Sequence, residues 1–276
     1  MQYHFGRGIV ETPNDFGRMG ALPTHPELLD WLATEFRKQG MSLKKLHRLI
    51  VTSSTYRQDS KASPSLLEKD PQNRLLARGP RFRLSGELIR DHMLKASGKL
   101  SGKMYGPGVY PPQPLTVLAH AFGNKSWNAS KGEDRYRRSV YTFIKRTAPF
   151  AGFMTFDGTS GENCLAKRDR SNTPLQALTL LNDEMYLELA RATGQEVHQK
   201  KDDPVETLFR RFLTRPPKQT ETDALRAYYE QQIQRLEKGE IKPSEITATP
   251  KATPELAGKV LLARAIMNLD EAITKP

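Results

Sequence analysis

Helix-start chemistry recurs along this chain and limits what it can fold into. "THPELLDWLATEF" opens with Thr24, puts Pro26 in the first turn and places Glu27 three residues after the threonine, the pattern of a capping box. Leu28, Leu32 and Phe36 then recur every four residues, Leu29 widens the stripe, and Gly40 ends it. "SLKKLHRLI" follows, with Ser42 as cap and Leu43, Leu46, Leu49 and Ile50 on one face, so the two segments predict a helical hairpin. "DPVETLFRRFL" repeats the device: Asp203 as cap, Pro204 next, Glu206 closing the box. Further helices are expected from about Ser85 to Leu100, with Leu84, Leu88 and Ile89 starting the buried stripe, and from about Glu221 to Lys238. A last one, "ELAGKVLLARAIMNLDEAI", buries Val260, Leu261 and Met267.

One stretch breaks this rhythm. In "RRSVYTFIKRT", Val140, Thr142 and Ile144 face one way and Tyr141 and Phe143 the other, which predicts a strand, with "GFMTFDG" as its partner. "GKMYGPGVYPPQP" carries Gly and Pro too densely to be anything but loop. The expected fold is therefore mainly α: a multi-helix domain with a small central β-hairpin or sheet and long Pro/Gly-rich loops. Residues 1–241 are expected to form the main domain, 242–254 ("KPSEITATPKATP") a linker, and 255–276 a C-terminal helix packing back on the domain.

The net charge of +12 favours anionic partners such as nucleic acid, acidic glycans, lipid headgroups or an acidic protein, unless it is simply a solvated basic surface. The single cysteine, Cys164, excludes an internal disulfide, a CxxCH haem site and a Cys-rich zinc site. No apolar run approaches the length of a membrane span, and "MQYHFGRGIV" lacks the layout of a signal peptide. On its residues alone the chain reads as soluble and unexported.

"KRDRSNTPLQALTLLND" (167–183) poses the sharpest question. Thr173, Pro174 and Gln176 make a Thr-x-x-Gln helix start, with Leu178, Leu181, Met185 and Leu189 following at helical spacing. Lys167, Arg168 and Arg170 stand just before the positive end of that helix, where each exposed cation costs roughly 0.3–1 kcal/mol. Between Arg135 and Arg170 there are eight Lys or Arg against three acids, Asp157, Glu162 and Asp169. The cations either hold an anion at the helix N-terminus or pair with carboxylates of the protein itself. The residues leave both readings open.

Chemistry-bearing motifs are scarce. There is no phosphate-binding glycine loop, no GxSxG and no metal-ligand spacing, and the six histidines (His4, His25, His47, His92, His120, His198) are dispersed. Three residues stand out as weak catalytic candidates. Cys164 lies among bases that would lower a thiol pKa, Asp157 follows "FMTF" at an expected strand end, and His25 sits inside a cap box. "DPQNRLLARGPRFR" adds Arg81 and Arg83 to a basic loop with one aromatic, too few for a single-strand binder.

Taken together, "HFGRGIVETPNDFGRMGALPTHPELLDWLATEF", "LHRLIVTSSTYRQ", "DPQNRLLAR", "RFRLSGELIRD", "RRSVYTFIKRT", "RDRSNTPLQALTLLND" and "NLDEAI" resemble the consecutive signatures of domain of unknown function 1553, a planctomycete-type domain also called PSD-one. The resemblance runs from about His4 to Ile273. It implies a neighbouring cytochrome c segment, an extracytoplasmic setting and a link to polysaccharide use, and it carries over no catalytic residue. The family pattern begins before "HFGRGIV", so the chain is expected to be truncated relative to it. The haem segment and export signal are not in these residues, so no cofactor is expected in this chain, and a complete chain would be cytoplasmic. Two positions depart from the family: Leu115, Thr116 and Val117 follow "PPQP" in place of a Gly and a Trp, and Ala272 replaces an aromatic.

These readings converge on recognition of an anionic partner, such as a sulfated glycan, through Arg81, Arg83, Lys145, Arg146, Arg168 and Arg170. A carbohydrate-active enzyme using Asp157, Cys164 or His25 is the alternative. A nucleic-acid binder rests on net charge only, and a purely structural module also remains open. The absent N-terminal domains or a cytochrome are further expected partners.

Overall fold

The computed structural model describes residues 1–118, 126–162, 164–200 and 202–275. Its contacts divide the chain into two units, Met1–Arg83 with Thr274–Pro276, and Leu84–Ile273. Thirteen α-helices and one two-stranded sheet are present among the described residues, so the protein is mainly α.

The first unit holds α1 (Gln2–Phe5), α2 (Pro26–Lys38), α3 (Leu43–Thr52) and α4 (Pro64–Lys69), with β1 (Phe82–Arg83) antiparallel to β2 (Thr274–Lys275). The expected α2–α3 hairpin forms, and Ser42 caps α3 by accepting from Lys45 N at 3.4 Å. Thr24 does not cap α2. Its hydroxyl and its amide both donate to the Ile9 carbonyl, leaving His25 at the cap position. The unit buries little: α2 has no buried residue and α3 has one, Ile50. A polar and aromatic knot holds it. His4 Nε2 and His47 Nδ1 share a hydrogen bond of 2.9 Å, and Lys275 lies 3.8 Å from the Tyr56 ring centroid while donating to the His4 carbonyl at 3.1 Å.

The second unit holds α5 (Gly86–Ala96), α6 (Ala151–Thr155), α7 (Pro174–Asn182), α8 (Glu184–Lys200), α9 (Pro204–Leu213), α10 (Gln219–Glu237), α11 (Pro243–Thr247), α12 (Pro254–Met267) and α13 (Asp270–Ile273). Helix α12 is its axis. Ten of its residues are buried, including Val260, Leu261 and Met267 as the periodicity requires, and it packs on α8, α9 and α10. Asp203 caps α9 through Val205 N at 2.9 Å. Leu88 departs from the expected stripe. It is exposed, and Ile89, Arg90, Met93 and Leu94 form the buried face of α5. Residues 242–254 carry α11, whose Thr247 is buried and whose Ile246 packs on the core.

The expected central strand is not there. Ser139–Tyr141 is a 3₁₀ turn, and Val109 and Thr142 make a single isolated parallel bridge. Val140 and Ile144 are 79% and 68% exposed, so the alternation has no apolar sheet face to bury, and the backbone bonds a loop instead. "GFMTF" forms α6, and Asp157 follows a helix rather than a strand. The small sheet lies at 82–83 and 274–275.

Two measurements check this packing. A Cβ on Gly194 of α8 would stand 2.7 Å from Val260 Cγ2 and 2.9 Å from Val260 N. Gly194→Ala should therefore destabilise the protein by up to about 2 kcal/mol in urea titration, because overpacking (about 1–3 kcal/mol) outweighs the gain in helix propensity (about 1 kcal/mol). Arg215 grips Glu221 and Glu271 at 2.7 Å each, and its hydrogen bonds hold the Glu221 carboxyl down at about 2. A depressed carboxyl stabilises above its unfolded pKa and loses that contribution as pH falls through the folded value. The stability advantage of wild type over Glu221→Gln should therefore be full above about pH 4.5 and vanish by about pH 2 in denaturant titrations across that range.

Candidate functional site

The loop 101–113 and the segment 135–147 have almost no regular backbone pairing, so side chains organise them. Arg137 is buried. Its guanidinium donates to the carbonyls of Pro107 and Tyr105 and lies 3.8 Å from the Tyr141 ring centroid. The Tyr141 hydroxyl accepts from Tyr105 N at 2.8 Å, and Val109 exchanges backbone bonds of 2.8 Å with Tyr141 and Phe143. Arg90, also buried, donates to the carbonyls of Arg137 and Arg135 at 2.7 and 3.1 Å. Arg135 and the Tyr136 hydroxyl both reach Glu188 on α8.

This scaffold presents an aromatic cluster. Tyr110 meets Trp127 edge-on at 5.1 Å and Phe143 at 4.9 Å, and Trp127 stacks on Phe150 at 6.2 Å. Trp127 is fixed by donating to the Pro111 carbonyl at 2.7 Å. Against Tyr110 and Phe143 lies an open cleft of about 540 Å³, which Asn128, Lys145, Arg146 and Thr147 also line. The Lys145 ammonium reaches the Ser126 carbonyl at 3.5 Å. Arg146 is exposed and has no hydrogen-bond or ion-pair partner among the described residues. No carboxylate, histidine or cysteine lines the cleft among the described residues. Lys145 and Arg146 belonged to the expected anion set, whereas Tyr110 and Asn128 did not. The aromatics beside "YPPQ" and "SWNA" are the signal that would have pointed to them.

Of the cations in "KRDRSNTPLQ", Arg168 is engaged within the protein. Arg168 clamps Glu87, in the first turn of α5, through bonds of 2.7 and 2.9 Å to its two oxygens. Asp157, at φ +58°, accepts from Ser171 N and Ser171 Oγ at 2.7 Å each. The buried Gln176 donates to the Thr155 carbonyl at 3.0 Å and to Ser171 Oγ at 3.1 Å. The segment before α7 is thus tied to α5 and α6 by the protein's own groups. Arg81, Arg83 and Arg170 are engaged by other groups as well, and the first two belong to the first unit.

His25 is in the first unit, with Nδ1 2.9 Å from Thr24 Oγ1 beside a recess of about 30 Å³. Asp157 is occupied by Ser171, and Cys164 is an exposed free thiol. No hydrogen bond joins Asp157 to Cys164 among the described residues, and His120 lies outside them. No group of three His, Cys, Asp or Glu could hold a metal ion among the described residues. A second polar cluster escaped the sequence reading. Buried Lys259 reaches Glu255 at 2.7 Å and His198 at 3.5 Å, and burial together with Glu255 pushes the neighbouring Tyr229 phenol up to about 12.

The family model described as PSD1, protein of unknown function (DUF1553), matches residues 1–229. No curated protein and no solved structure matches the chain. No helix among the described residues is long and apolar enough to cross a membrane.

A structural Arg168 can be told from a ligand-binding one by a double-mutant cycle. Arg168→Ala and Glu87→Gln should each lower unfolding free energy by up to about 1 kcal/mol, and the double variant should lose less than their sum. Additive losses would show that the pair does not act as a unit.

Proposed function

Since the chain belongs to the DUF1553 family, whose description assigns no activity, we propose that its second unit is a recognition module for an anionic glycan, sulfated or carboxylated. The observation that carries this reading is an unpaired, exposed Arg146 on the rim of an aromatic-walled cleft. The C–H face of a sugar ring packs against Tyr110 and Phe143, while the Asn128 amide and Thr147 hydroxyl match sugar hydroxyls. Arg146 presents a planar fork suited to sulfate or carboxylate, with Lys145 as a second positive charge. Glycoside hydrolysis would need two facing carboxyl groups. The described lining has none, so the geometry favours binding over cleavage. An extracytoplasmic setting, alongside a cytochrome c segment and polysaccharide-degrading enzymes, belongs to the same proposal and rests on the family resemblance.

The test is a salt titration of the purified chain against dextran sulfate and a DNA duplex. Dextran sulfate binding should persist at salt that releases DNA, because shaped contacts add to counterion release. Arg146→Ala should weaken dextran sulfate binding about tenfold, as expected for one charge-assisted contact, while Arg168→Ala leaves it unchanged. Release of both ligands at the same salt, or full binding by Arg146→Ala, would overturn the reading.

A further inference from the structure

Residues 10–23 of the first unit make an Ω-shaped excursion whose two ends are stapled together. At the base, Thr24 N and Thr24 Oγ1 both donate to the Ile9 carbonyl, at 2.9 and 3.1 Å. Inside, Thr12 Oγ1 donates to the Asp15 carbonyl at 2.7 Å and accepts from Ala21 N at 2.9 Å. Asp15 Oδ1 accepts from Gly17 N at 2.8 Å, and Gly20 N donates to the Gly17 carbonyl at 3.0 Å. The backbone closes so tightly that a Cβ on Gly20 would fall 2.2 Å from the Asp15 carbonyl oxygen.

This ordered loop turns its apolar side chains to solvent. Phe16 is 77% exposed, Met19 90% and Leu22 86%. Apolar groups displayed together by a hydrogen-bonded loop mark an interaction surface. Its own charges are Glu11 and Asp15 against Arg18, so attraction to an anionic surface comes from the unit that carries it. Glu11 is neutralised by Arg7 at 2.7 Å, and Asp15 bonds the loop's own backbone. Arg18, between Phe16 and Met19, is exposed and has no partner among the described residues. The first unit carries 15 Lys and Arg against 8 Asp and Glu, more than half of the chain's excess of +12 in under a third of its length.

We propose that loop 10–23 is an interfacial anchor for an anionic lipid bilayer. Phe16, Met19 and Leu22 enter the boundary between headgroups and acyl chains, and Arg18 with the surrounding basic charge pairs with lipid phosphates. A bilayer fits better than a folded protein partner. The three apolar residues alternate with Gly17 and Gly20 in the sequence, and a fluid surface requires no matching shape.

The experiment is cosedimentation of the full chain with mixed phosphatidylglycerol–phosphatidylcholine vesicles and with pure phosphatidylcholine vesicles. Binding is expected to the anionic vesicles and to be weak on the neutral ones. The triple variant Phe16→Ser, Met19→Ser, Leu22→Ser should partition about tenfold less or worse, and Arg18→Glu several-fold less, with unchanged circular dichroism. Met19→Cys in a Cys164→Ser background, carrying an environment-sensitive fluorophore, should shift to the blue on anionic vesicles. Failure to sediment with anionic vesicles overturns the proposal. So does undiminished binding by the triple variant, which would leave charge alone as the cause, or a label that stays in water while the protein binds.

Discussion

Two buried guanidiniums, Arg90 and Arg137, hold together the part of the second unit that has almost no regular backbone pairing. A guanidinium offers five N–H donors in one plane, and here each places two bonds on main-chain carbonyls, those of Arg135 and Arg137 for one and of Tyr105 and Pro107 for the other, while the buried Nε of each has no partner among the described residues. Without these donors four main-chain carbonyls would lose a partner, and the buried one of Arg137 would be stranded at a cost of about 1–3 kcal/mol. Burial pushes the Arg90 guanidinium down to about 10, which leaves it protonated at neutral pH. The aromatic walls of the cleft depend on this arrangement. Tyr141 lies against Arg137, its hydroxyl holds Tyr105 N, and the Val109 bridge sets Phe143 beside Tyr110.

The basic composition therefore has two meanings in one chain. In the second unit many cations are architectural: Arg135, Arg168 and Arg215 grip carboxylates between elements distant in sequence, and Arg211 ties α9 to the preceding α8 through Glu196. Arg146 stands outside that network, and the proposed glycan contact rests on that. In the first unit the core is thin and the excess of cations larger, so its surface is both more apolar and more positive than its size requires.

What was legible in the sequence followed the range of the interaction. Ser42 and Asp203 act as caps because their partners lie within three residues, and the stripe of α12 is buried because a helix in the centre of a core has no other option. Thr24 carries the same local signal, yet the Ile9 carbonyl, fifteen residues upstream, took its hydroxyl. The alternation at 140–144 was real in sequence but had no strand to pair with, since a strand signal says nothing about its neighbour. The neighbours of the candidate residues were not legible for the same reason. Arg168 finds Glu87 across 81 residues and Tyr110 finds Phe143 across the loop, and neither distance is encoded in spacing.

The pairing of β1 with β2 has a consequence for how the protein is made. Residues 84–273 form a continuous stretch that can fold as soon as it has left the ribosome. The first unit, although synthesised first, is completed only by Thr274 and Lys275, whose side chain closes over Tyr56 and bonds His4. The residues that emerge before that stretch thus reach their final form after it. Until Thr274 and Lys275 arrive, the exposed apolar residues of α2, α3 and loop 10–23 belong to an unfinished unit, a natural substrate for a holding chaperone.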